Sequence, residues 1–198
     1  FSADEKRILF SSDAAGGIFN AYSIAATGGK PEQLTKATTD TTYGVSYFPN
    51  DDRILYTRDK GGDENNHLYV RELNGVEKDL TPGDKLKAQF AGWHPDGVAF
   101  YVMTNERDPK FFDLYRYDAK SYARTMLFKN EKGLDVETVS RDEKWIGLNK
   151  TNTTLDSDIY VYDVAKAELK HISPHTGSVK FASETFDPAS KRLFFLTD

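Results

Sequence analysis

The stretch TTYGVSYFPNDDRILYTRDKGGDENNHLYVRELNGVEKDLTP, residues 41–82, holds the pattern that decides the fold. Residues 41–48 alternate between small or polar and apolar or aromatic side chains, the period of a half-buried strand. PNDD reads as a turn, RILYTR as a second strand, HLYVREL as a third and KDLTP as a fourth. Asn74-Gly75, between the last two, predicts a tight two-residue hairpin turn with positive φ at both central positions. Between the second and third strands lies the polar segment RDKGGDENN, whose Asp59, Asp63 and Glu64 lack the order of acids that wraps calcium in an EF-hand loop.

Outward from this stretch the pattern recurs. An aromatic or apolar residue, turn residues and a short apolar run begin at positions 1 (FSADEKRILF), 48 (FPNDDRILY), 93 (WHPDGVAFY), 139 (VSRDEKWIGL) and 186 (FDPASKRLFF), at intervals of 47, 45, 46 and 47 residues. A tyrosine marker keeps step at Tyr22, Tyr69, Tyr115 and Tyr160. Four antiparallel strands recurring every 40 to 50 residues are the signature of a β-propeller blade. No stretch has a helical period. Residues 1–198 therefore read as one all-β domain: a partial β-propeller of about four to five four-stranded antiparallel blades, entered at strand B of the first repeat and left at strand B of the fifth, an arc of a larger ring.

The opening loop has counterparts at SSDAAGGIFN (11–20), TNERDPKFFD (104–113) and NKTNTTLDSD (149–158), so it occupies a recurring place between strands B and C. It is either a plain hairpin tip or part of a rim, since such loops emerge on one face of a propeller and the short A–B turns on the other. Asp4-Glu5, Asp51-Asp52 and Asp142-Glu143 fall in A–B turns and read as carboxylates capping backbone N–H groups. Asp63-Glu64 is the one adjacent acid pair in a B–C loop; a departure from the template is where grafted function tends to lie.

Composition narrows the function classes. With 38 % hydrophobic and 29 % charged residues the chain is of ordinary soluble, globular composition, and the 13 % aromatic share favours strands. A net charge of -5 with no cluster of cations among aromatics argues against nucleic acid as a partner. The absence of Cys excludes disulfides and thiolate metal sites, and no apolar run is long enough for a membrane span. A soluble compartment, cytoplasmic or periplasmic, is the expectation.

Catalytic motifs are not found. No G-x-S-x-G elbow occurs, and Gly29-Lys30 is followed by Pro31 rather than by the Ser or Thr of a phosphate loop. His67, His94, His171 and His175 form no H-E-x-x-H pair and read as solvated or capping residues. Trp93 and the other anchor aromatics read as packing between blades. Asn149-Lys150-Thr151 and Asn152-Thr153-Thr154 match the glycosylation acceptor pattern, which has meaning only in a eukaryotic secretory context.

The segments RDKGGDENNHLYV, LTPGDKLKAQFAGWHPDGVAFYVMTNERDPKFFDLYRYD and NTTLDSDIYVYD together resemble the propeller of prolyl oligopeptidase family (S9) serine peptidases, in particular the acylaminoacyl-peptidase and dipeptidyl-peptidase-like members. The likeness covers nearly all of the chain. It implies a seven- or eight-bladed propeller over an α/β-hydrolase domain that carries the Ser, Asp and His of catalysis. None of these 198 residues matches that domain, so the resemblance gives no catalytic residue, cofactor or metal. What it implies is a non-catalytic propeller segment that gates and helps select peptides, with the parent's own hydrolase domain and its peptide substrate as partners. In dipeptidyl-peptidase relatives a propeller acid pair binds the free amino terminus of the substrate and an Arg holds its carbonyls. By position, Asp63 and Glu64 are the acids here and Arg58 or Arg107 the cation, although the usual flanking motif is absent. The alternative is a TolB-like or WD40-like binding propeller that recognises a protein or peptide with no attached enzyme. The G-H and W-D dipeptides of WD40 repeats do not occur in register.

Overall fold

The computed structural model describes residues 1–198 and is built of strands and turns without helix. The first sheet holds β1 (Arg7–Ser12), β2 (Asn20–Ala25) and β3 (Glu32–Gln33). The second holds β4 (Thr42–Tyr47), β5 (Ile54–Arg58), β6 (His67–Arg71) and β7 (Glu77–Asp79). The third holds β8 (Ala88–Trp93), β9 (Ala99–Asp108), β10 (Phe111–Asp118) and β11 (Arg124–Phe128). The fourth holds β12 (Asp135–Val139), β13 (Trp145–Thr153), β14 (Asp156–Asp163) and β15 (Glu168–His171). The fifth holds β16 (Phe181–Phe186) and β17 (Leu193–Thr197). Strands neighbour one another in sequence order within every sheet. This is the expected blade architecture, with three complete four-stranded sheets between a three-stranded first and a two-stranded last.

The chain divides into two compact units, residues 1–109 with 115–125, and residues 110–114 with 126–198. Alternation along the strands explains the packing of the first. In β5, Leu55 joins Phe48, Leu68, Val70, Phe100 and Tyr117 in one buried cluster, while its neighbours Ile54 and Tyr56 point the other way and join Ala21 and Tyr47 in a second. The second sheet is thus apolar on both faces, against the third sheet on one side and the first on the other. In the second unit Ile146, Leu148 and Ile159 are fully buried.

One hydrogen bond marks the repeat more sharply than the sequence does. The backbone amides of Ser2, Phe48, His94, Ser140 and Asp187 each donate to the carbonyl five residues on, at 2.9 Å in every case. These positions are 46, 46, 46 and 47 residues apart. The structural anchor of the second repeat is therefore Tyr47, one residue before the Phe48 that the sequence pattern picks. Two consecutive aromatics stand there, and only packing separates them: Phe48 enters the cluster shared with the third sheet, whereas the Tyr47 hydroxyl donates to Ser23 Oγ of the first sheet at 2.6 Å. Trp93 packs against Phe48, Phe90 and Phe100, and its indole N–H reaches Ser46 Oγ of the second sheet at 2.9 Å. The turn acids cap backbone amides as expected. Asp4 Oδ1 accepts from Lys6 N, Asp51 Oδ1 from Arg53 N and Asp142 Oδ1 from Lys144 N.

Two local expectations are corrected. Asn74-Gly75 does not form a two-residue turn with both φ positive; only Gly75 has positive φ, at 83°. Gly75 N donates to Glu72 O at 2.9 Å and Glu72 N to Val76 O at 2.8 Å, so the connection is a three-residue loop closed by a left-handed glycine. Asn74 Oδ1 accepts from Val76 N, which stabilises that longer form. The segments 104–113 and 149–158 are not open loops either. β9 and β10 run to Asp108 and from Phe111, and β13 and β14 stay paired as far as Thr153 opposite Asp156. Their polar side chains mimic loop composition, but no Gly-Gly pair interrupts the ladder.

Candidate functional site

The opening loop, by contrast, does leave the ladder. β5 and β6 pair from Ile54 opposite Arg71 to Arg58 opposite His67, and residues 59–66 stand beyond them. Gly61 and Gly62 both take positive φ, which turns the chain, and Glu64 follows at 59°. The loop is held largely by carboxylates acting as backbone acceptors. Asp59 Oδ1 accepts from Thr41 N at 3.0 Å and Asp40 Oδ1 from Gly61 N at 3.0 Å. Asp63 Oδ1 takes the amides of Asn65 and Lys60 at 2.9 and 3.2 Å, and its Oδ2 takes Asn65 Nδ2 at 3.2 Å. The Asn65 donors, followed by Lys60, hold the Asp63 carboxyl below the usual range.

Arg58 is fixed from four strands. Its Nε donates to Thr42 Oγ1 of β4 at 3.1 Å, its Nη2 pairs with Glu77 of β7 at 3.0 Å, and its guanidinium lies 5.0 and 5.2 Å from the ring centroids of Tyr56 and Tyr69. Burial pushes both phenols up, so each stays a neutral, polarisable platform. Arg58, Asp63, His67, Asp79, Gly83 and Lys85 line a cleft of about 350 Å³. Of the four residues singled out from the sequence, the structure brings Arg58 and Asp63 to one cleft. Glu64 is exposed on the same loop without lining it, and Arg107 is exposed near the end of β9, away from this lining.

Three of the four histidines have partners that the sequence does not reveal. His94 caps, its Nδ1 accepting from Asp96 N at 3.2 Å. The other three pair with carboxylates rather than with solvent. His67 Nδ1 meets Asp79 Oδ2 at 2.8 Å, and Asp79 Oδ1 accepts from Thr81 N. In the second unit His171 Nε2 meets Asp158 Oδ1 at 2.7 Å, and His175 lies between Asp156 Oδ1, 2.8 Å from its Nε2, and the Ser173 carbonyl, 2.9 Å from its Nδ1. Both His175 nitrogens face acceptors, which favours the imidazolium, and its pKa is raised, first by the Ser173 carbonyl and then by Asp156. No group of three or more such side chains is arranged to hold a metal ion. The signal that finds these pairs is register: relative to the tyrosine markers, His67 and Asp79 occupy the places of Asp158 and His171.

No family model matches the chain. It is 42 % identical over 125 residues to dipeptidyl aminopeptidase BIII of Pseudoxanthomonas mexicana, a match that covers 60 % of this chain and 18 % of that protein. The chain thus spans less than a fifth of the curated relative's length. Among solved structures, TolB from Acinetobacter baumannii superposes with a TM-score of 0.58 at 17 % identity, over all of this chain and 53 % of that one. TolB from Agrobacterium tumefaciens gives 0.58 at 22 %, over all of this chain and 68 % of that one. A prolyl endopeptidase gives 0.68 at 15 %, over 98 % of this chain and 31 % of that one. The structural likenesses establish the propeller fold, and the sequence likeness to an S9 dipeptidyl aminopeptidase bears out the resemblance to the propellers of that peptidase family.

Proposed function

We propose that these residues are the propeller part of a larger prolyl oligopeptidase family peptidase, and that the cleft at Arg58 and Asp63 helps gate and select its peptide substrates. The observation that carries this reading is the 42 % identity to a dipeptidyl aminopeptidase, concentrated on a chain of propeller fold. Arg58 is already oriented by Thr42, Glu77 and two aromatic rings, so it offers a substrate carbonyl a donor whose ordering cost is met before binding. Asp63 Oδ2 has acceptor capacity beyond its single contact and offers a substrate ammonium a charge-assisted bond. Glu64, exposed on the same loop, is the second acid of the pair, and Arg107 is the alternative cation. Catalysis belongs to a hydrolase domain outside these residues, since acyl transfer needs a positioned nucleophile, base and oxyanion hole.

The second reading, a binding propeller without an attached enzyme, draws on the TolB structures, which match this chain over its whole length. Expression of the gene's whole open reading frame separates the two. A peptidase parent is labelled by a fluorophosphonate probe at one serine and releases dipeptides from free-amine peptides, while residues 1–198 alone are not labelled. A whole product that is neither labelled nor active but still binds peptide overturns the first reading in favour of the second.

A further inference from the structure

A second cleft lies on the first unit, between residues 34–40 and the strands β5 to β7. It has a volume of about 520 Å³ and is lined by Lys36, Thr38, Asp40, Arg58, Arg71 and Glu77. The size suits a small ligand or one end of a peptide. Its charges are unevenly satisfied. Glu77 is neutralised by Arg58, and Asp40 Oδ1 is engaged by Gly61 N and the Thr39 hydroxyl. Arg71 is half-buried on β6, yet its guanidinium has neither an acid within ion-pair distance nor a hydrogen-bond acceptor, and Lys36 on the facing segment has none. The Arg71 nitrogens reach the solvent of the cleft, where an anion can replace the water they bind. The Arg71 Nη2 lies 3.5 Å from where a Cβ on Gly75 would stand, so the guanidinium folds over the glycine of the hairpin. Behind the wall formed by Arg58, the Tyr56 hydroxyl is fully buried and also without a partner.

We propose that this cleft is a carboxylate-binding site, with Arg71 as the bidentate fork, Lys36 as the second cation and the Thr38 hydroxyl as a further donor. Three cations against two acids leave one unit of positive charge, which suits a monoanion; a phosphate dianion would meet Asp40 and Glu77 at close range. The planar guanidinium matches the two oxygens of a carboxylate. The ligand class is therefore a peptide C-terminus or an acidic side chain. The site does not rest on the peptidase reading, because its two unpaired cations, Lys36 and Arg71, lie outside the cleft at Asp63.

The test is a titration of the ¹⁵N-labelled full-length protein with N-acetylglycine, N-acetylglycinamide and inorganic phosphate, followed at the amides of Lys36, Asp40 and Gly75. N-acetylglycine is expected to shift these resonances saturably and its amide to leave them unmoved. Arg71→Gln should weaken the response by about tenfold or more, with the rest of the spectrum unchanged, and Lys36→Gln should weaken it less. Should Arg71→Gln fail to fold, Lys36→Gln alone carries the test. Equal response to acid and amide, or full affinity in the folded variants, overturns the site; tighter binding of phosphate than of N-acetylglycine overturns its assignment to carboxylates.

Discussion

The second and fourth sheets close the same seam with the same pair of side chains, exchanged. In the second, His67 on the third strand meets Asp79 on the fourth at 2.8 Å; in the fourth, Asp158 on the third strand meets His171 on the fourth at 2.7 Å. Two residues on, Thr81 and Ser173 accept the amides of Leu68 and Ile159 at 2.9 and 2.7 Å. A clasp that survives exchange of its partners serves the fold, because either arrangement ties the strand ends while neither fixes a directional chemistry. The difference lies beside the clasp. The fourth sheet has Asp156 and His175 where the second has Asn65 and Gly83. His175 fills its place and binds Asp156, whereas Asn65 and Gly83 line the open cleft with Arg58 and Asp63. The candidate site is the position at which the repeat omits a side chain.

The largest expected effect breaks the clasp. Asp79→Ala leaves His67 without its carboxylate and should cost about 1.5–3 kcal/mol, read as a shift in denaturation midpoint at constant slope. If exchange is neutral, the double variant His67→Asp with Asp79→His recovers at least half of the loss suffered by His67→Asp alone, a coupling that a double-mutant cycle reports directly. No recovery would mean that the two sheets are clasped for different reasons.

A smaller effect follows from closing the cleft. A Cβ at Gly83 would come within 2.4 Å of Leu86 Cδ2, the far end of a flexible but buried side chain. Gly83→Ala should therefore cost about 1 kcal/mol as Leu86 shifts and reduce the cleft without disturbing the clasp. A variant as stable as the parent would show that Leu86 moves freely.

These comparisons also show what the sequence could convey. Blade architecture was legible because hydrophobic alternation and turn residues repeat in type. The clasp was not, because His and Asp trade places between repeats, so that no single position keeps a residue type; only the hydrogen bonds pair Asp79 with His67 and His171 with Asp158. The loop at 59–66 was legible through Gly61-Gly62. Segments 104–113 and 149–158 are not legible as strands, because their Thr, Asn and Asp have the composition of loops while still allowing a paired ladder. The joint placement of Arg58 and Asp63 depends on an arginine held by three other strands, which no local pattern encodes.

The smallest effect is local and depends on pH. His175 has a raised pKa, so its contribution to the fourth sheet is complete below its unfolded value of about 6.5 and is lost as pH rises through the higher folded value. Asp156 has a lowered pKa, first through His175, so its contribution is present above about 3.9 and is lost as pH falls through the lower folded value. Protection of the Val179 and Ser157 amides against hydrogen exchange, which depend on Asp156 Oδ1 and on the Val179 carbonyl, should be greatest between those limits and decline first on the alkaline side. His175→Gly should abolish the alkaline decline and give the fourth sheet an opening like that of the second. An unchanged profile in this variant would remove His175 from the account.

The claim that the open cleft selects peptides is tested most directly by Asp63→Asn in the full-length protein. Asn keeps an Oδ1 to accept the Lys60 and Asn65 amides, so the loop retains its shape while the charge is lost. KM is measured for a peptide with a free amino terminus and for its N-acetylated form. KM is expected to rise about tenfold or more for the free amine and to stay unchanged for the blocked peptide; unchanged values for both, or an equal rise in both, would contradict peptide selection by this cleft.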